Sequence, residues 1–142
     1  MPGEGGFGRW IKWERRVRLS HDWDVRRDFD HAGLYLLGRF EGTDQALQSE
    51  ATHLHPDVIY MGMSKALIRR SEWHEKVARY RLLFPGELGS LFHATWHFNT
   101  WSSWNLDRTP AGKVKRVTLA AEEGRLISEY ANTFGRLPLL QE

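Results

Sequence analysis

The chain has 142 residues, 41% of them apolar and 27% charged, with a formal net charge of +2. That length supports one domain with a real core, and the composition is globular rather than disordered. No run of about 18 apolar residues exists to span a bilayer, and the absence of cysteine excludes disulfides and thiolate metal sites and fits a reducing, cytoplasmic setting.

In chain order, Met1 to Gly8 is glycine-rich and without the apolar stretch of a secretory signal, so it is expected to be a loose tail. Between Arg9 and Arg27 seven basic residues face three acidic ones. Trp10, Trp13 and Trp23 lie among them, in a segment that suits either a short helix or an irregular arm. Leu34 to Phe40 is a first strand, closed by the turn signal Glu41-Gly42-Thr43-Asp44. After a polar loop through His53 and His55, Val58 to Met61 makes a second strand that Gly62 is expected to stop. Ser64 is a good N-cap for a helix from Lys65 to about Leu82, where six basic residues face two acidic ones up to Arg81.

Pro85-Gly86 breaks the chain. Leu88 to Trp104, dense in Trp, His and Phe, is compatible with a helix. Thr109 to Gly112 carries a turn signal, Lys113 to Leu119 resembles a third strand, and Ala120 to Phe134 forms a last helix with Gly135 as its cap and Pro138 beyond. The expected fold is therefore α+β: a single small domain with a three-stranded, mainly antiparallel sheet flanked by helices. No internal repeat is present.

Two charges sit where apolar residues belong. On the first helix Ala66, Trp73, Val77 and Tyr80 make a buried stripe, and Arg70 falls inside it. Arg69, Glu72, Lys76 and Arg79 fall on the solvated side. A guanidinium in such a stripe must meet a carboxylate or border a cleft that holds an anion. On the last helix the stripe is Leu119, Leu126, Ile127, Tyr130 and Phe134, with Glu123 inside it and Glu122 well to the side. A carboxylate there is paired, protonated or bound to a metal. The plain alternative is a buried Arg70–Glu123 salt bridge.

With those positions isolated, the chain resembles the GIY-YIG nucleases. Gly33-Leu34-Tyr35 and Tyr60-Met61-Gly62 are similar to the family's two naming signatures. Tyr60 to Arg70 then resembles its strand, glycine turn and arginine-bearing helix, with Arg70 in the arginine's place and His74 where many members carry histidine. Glu123-Gly124-Arg125-Leu126-Ile127 is similar to its Glu-x-x-Leu-Ile pattern, and Tyr130, Gly135 and Pro138 continue the likeness. The likeness covers roughly residues 32 to 141, with 81 to 112 unmatched. Residues 1–31 would then be a basic, aromatic arm, for which core cover is favoured over a DNA grip, and 32–142 the nuclease domain. Leu34 and Met61 stand where the family has isoleucine. Many members have an asparagine shortly after the last helix, where this chain has Gln141.

The resemblance implies an endonuclease hydrolysing DNA, with Glu123 holding one Mg²⁺ or Mn²⁺ and Arg70 neutralising charge on the phosphate. Tyr35, or else Tyr60, would orient or deprotonate the attacking water, a task for which an ordinary phenol is a poor base at neutral pH. His74 would position a water or a phosphate oxygen. Lys65, Arg69, Lys76 and Gln141 are candidate contacts to double-stranded DNA, for a monomer or transient dimer without membrane attachment. Core packing is the competing role of both tyrosines. Two other readings remain open. His93 and His97, four apart, could share a helix face and bind zinc, with His53 and His55 adding ligands. A basic, aromatic domain could also grip nucleic acid without cutting it.

Overall fold

The most apolar stretch of the chain forms the centre of the sheet. In the computed structural model, which describes residues 6–14, 32–41, 50–64, 75–97 and 109–141, strand β2 (Gly33–Arg39) is buried at every position but its last. A strand covered on both faces is written as an unbroken apolar run, and this one is. It pairs antiparallel with β3 (Val58–Ser64) on one side and β4 (Leu91–His97) on the other. The two-residue β1 (Ile11–Lys12) pairs antiparallel with β4, giving a four-stranded sheet of order β1-β4-β2-β3.

Helices cover the two faces. On one side, α1 (Glu75–Leu83) packs Val77 and Tyr80 with Trp13, Leu37, Ile59 and Leu91. On the other, α2 (Pro110–Phe134) packs Leu119, Leu126 and Tyr130 against Leu34, Leu36, Met61 and Phe92. Leu37 pairs with Tyr60 and Gly38 with Val58, so Ile59 is an extra residue in β3. This bulge lets consecutive residues, Ile59 and Tyr60, both join the α1 side of the core. Beyond α2, Gly135 takes a left-handed φ of 70° and caps the helix as expected. The chain then returns along β3, where the Leu140 N–H donates to the Ile59 carbonyl at 2.8 Å.

The sheet differs from the expected three strands in three places, the first being β1, which forms within the arm expected to be a short helix or irregular. Segment 113–119 is not a strand but the opening of α2, and the turn signal before it is the helix start. Thr109 is the N-cap, its side chain accepting from the Gly112 N–H at 2.9 Å, and Pro110 fills the first turn. Proline suits that position because its missing N–H would have had no intrahelical partner. Val114 and Val117 are three apart, a helical interval, and both are exposed. The Trp/His-rich segment that could have been a helix supplies β4 instead, after a single 3-10 turn at Leu88–Ser90. Gly62 does not stop β3, which runs on to Ser64. Of the helix expected from Lys65 to Leu82, Lys65 to His74 lies outside the described residues, as does the chain after Ser64 on which its role as N-cap depends. Within the expected arm, Phe7, Trp10 and Trp13 are buried in the same two core clusters as the sheet. No helix among the described residues is long and apolar enough to cross a membrane.

Candidate functional site

Tyr35 stands in the middle of β2, directly opposite Gly62 on β3 and Thr95 on β4. It is only 2% exposed. A Cβ built on Gly62 would lie 2.5 Å from the Tyr35 hydroxyl and 2.6 Å from Cζ. The phenol therefore lies across Gly62, and glycine is needed there for close approach, not for backbone conformation. Two rings hold the phenol in place: Tyr60 at 5.9 Å between centroids and His93, stacked at 5.8 Å with planes 24° apart. The Lys76 ammonium lies 5.3 Å from the Tyr60 ring centroid, close enough for a cation–π attraction.

Glu123 reaches the same strand from α2. It is half-buried, and burial pushes its carboxyl above the usual carboxylate range, opposed by the Met63 backbone N–H, which favours the charged form. No salt bridge joins Glu123 to another described residue. Glu122 behaves oppositely: it pairs with Arg125, which holds it below the ordinary range. Because Met63 follows Gly62, the Glu123 carboxylate and the Tyr35 hydroxyl flank one peptide group. Adding the 2.5 Å approach at Gly62 to standard bond and hydrogen-bond lengths separates them by roughly 10 Å at most.

The outer edge of β3 is closed by the chain's end. Gln141 accepts from the Met61 N–H at 2.9 Å and donates to the Met61 carbonyl at 3.0 Å. Its amide thus replaces the missing neighbour strand, with the Leu140 bond to Ile59 beside it. Gln141, a candidate nucleic-acid contact in the sequence, is bonded to the edge of the sheet.

The structure thus places Tyr35, Tyr60 and Glu123 around the Tyr60–Met63 stretch of β3. Lys76, expected on a solvated face, is instead 6% exposed. It sits one turn before Tyr80, and residues four apart share a helix face, so the buried surface is wider than the stripe through Val77 suggested. Arg70, His74, Lys65 and Arg69 lie outside the described residues. The zinc arrangement does not form: His93 and His97 lie on a strand, where four residues span about 13 Å. Among the described residues no group of three or more His, Cys, Asp or Glu could hold a metal ion. His93 was missed as the ring beneath Tyr35. Once that segment is a strand, the register places His93 across from Leu37, one step along the Tyr35 face.

Comparisons of the chain with protein-family models, curated proteins and solved structures find no match in any of the three.

Proposed function

We propose that the chain is a metal-dependent endonuclease of the GIY-YIG type, hydrolysing DNA phosphodiester bonds by in-line attack of water. The observation that carries this is the pairing across one peptide of β3: a glycine-seated tyrosine on one side and a half-buried carboxylate without a salt-bridge partner among the described residues on the other. Such a carboxylate, destabilised as an anion by burial, gains most from a hard cation. Magnesium binds through one or two carboxylates and keeps waters and phosphate oxygens in its remaining positions, so Glu123 alone suits it without a protein-built cage. The bound ion would supply charge relief at the phosphate and leaving oxygen.

The chain's own residues divide the remaining work. Tyr35 is held in one orientation by Tyr60, His93 and the bare backbone of Gly62, so its hydroxyl is pre-positioned to orient a water. Lys76, drawn in over Tyr60, adds positive charge beside the tyrosine pair. Arg70 is proposed, by its place in the resemblance, to neutralise the equatorial oxygens. Incubation with supercoiled plasmid in Mg²⁺, Mn²⁺ and EDTA tests the class. Nicked or linear product with either metal and none in EDTA is expected. A gel shift without any cutting would assign the domain to nucleic-acid binding alone.

A further inference from the structure

The residues that turned out to be the first half of α2 place a second feature beside Glu123. Counting back along the helix, Ala120, Arg116 and Lys113 lie three, seven and ten residues before it. At 3.6 residues per turn these positions fall within about 80° of the Glu123 direction, and Arg116 and Lys113 stand roughly 10 and 15 Å up the axis. Lys113 and Arg116 are exposed, and Lys115 is partly so. No acidic residue occurs from Thr109 to Ala121. Met63, Lys113, Arg116, Val117 and Ala120 line an open groove of about 330 Å³. Met63 is also the residue whose N–H faces the Glu123 carboxylate, so groove and candidate site are continuous. The next acid along the helix, Glu122, is turned to Arg125.

We infer that this groove carries the phosphodiester backbone of the bound DNA toward Glu123, with Lys113 and Arg116 as phosphate contacts. The inference rests on the nuclease reading and adds the path of the substrate. A nucleic-acid strand fits better than a protein partner because the polar residues that line the groove among the described residues, Lys113 and Arg116, are both basic and lead to a site that calls for a cation and phosphate. The roughly 10 Å from Glu123 to Arg116 matches about three base-pair steps of duplex at 3.4 Å each. Val117, 70% exposed, lines the same groove.

The test uses anisotropy of a labelled DNA duplex in EDTA across a salt series. It compares wild type, Lys113→Ala/Arg116→Ala, Glu123→Gln, and Ser128→Glu/Asn132→Glu. The last changes net charge equally on exposed positions of the same helix, about 18 Å beyond Arg116. Circular dichroism confirms that each variant is folded. The groove variant is expected to bind at least tenfold more weakly, with a log–log salt slope lower by about 2, one unit for each lost phosphate contact. Glu123→Gln is expected to bind at least as well as wild type. Equal losses in the groove and Ser128/Asn132 variants would reduce the effect to net charge and overturn the path. Unchanged binding in the groove variant, while wild type binds and cuts, would overturn the path and leave the nuclease reading standing. Wild type that neither binds nor cuts would sink both. So would a dimer that Val117→Glu dissociates, with no DNA bound, since a second copy would then own the face.

Discussion

A methyl group added at Gly62 tests the seat of Tyr35 through the sign of its effect. In a strand, alanine is normally better than glycine by roughly 0.5–1 kcal/mol, because glycine loses more backbone freedom on folding. Gly62 does not adopt positive φ, so backbone strain does not oppose the change. The ring does. The new Cβ would meet Tyr35 at 2.5 Å from Oη, 2.6 Å from Cζ and 2.9 Å from Cε1, well inside normal contact. Held between the tilted Tyr60 ring and the stacked His93 ring, the phenol has little room to retreat. Overpacking of this kind costs about 1–3 kcal/mol. Gly62→Ala is therefore expected to lower stability in urea unfolding by that amount. In a Tyr35→Leu background the three clashing atoms are absent, and the same change is expected to become neutral or stabilising. The double-mutant cycle should thus yield a coupling of about 2 kcal/mol. Additive effects, or a Gly62→Ala protein more stable than wild type, would refute the seating of Tyr35 on Gly62.

Gly124 is the contrasting case: it lies in α2 and nothing stands within 4 Å of the place its Cβ would take. Gly124→Ala is expected to stabilise by about 1 kcal/mol, seen as a thermal midpoint higher by a few degrees. Gln141→Ala removes both bonds to Met61 and should cost about 1–3 kcal/mol, with faster hydrogen exchange at the Met61 amide; an unprotected Met61 amide in wild type would contradict the edge cap. Glu129, bonded to His53 at 2.6 Å and to Arg125, is held below the usual carboxylate range, chiefly by the His53 contact. A depressed folded value means its stabilisation is present above the unfolded carboxylate pKa and is lost as pH falls through the lower folded value. Glu129→Gln should therefore flatten the acid side of the stability–pH curve, and an unchanged profile would remove Glu129 from the acid response.

How much was legible in the sequence followed from how each element is stabilised. β2 could be read directly because it is apolar on both faces. The cap at Gly135 was equally plain, since only glycine takes that φ without strain. Glu123 emerged from helical spacing, since a carboxylate inside an apolar stripe stands out whatever the sheet does. The opening of α2 was misread because Val114 and Val117 suggested strand propensity, while the Thr109–Pro110 pair, a cap followed by a first-turn proline, carried the decisive signal. β4 was obscured by its aromatic and histidine content, which fits a half-buried strand and a buried helix equally. The edge role of Gln141 depends on the chain returning beside β3, a long-range contact that local pattern cannot encode.

Glu123 is the residue on which the account rests, and an isosteric change there tests it most directly. Supercoiled plasmid would be incubated with wild type and with Glu123→Gln in Mg²⁺, after circular dichroism has shown both to be folded. Nicking by wild type, abolished by EDTA and reduced at least a hundredfold in Glu123→Gln, is the expected result. Metal-dependent cutting that persists undiminished in the variant would contradict the assignment of Glu123 as the metal-holding carboxylate.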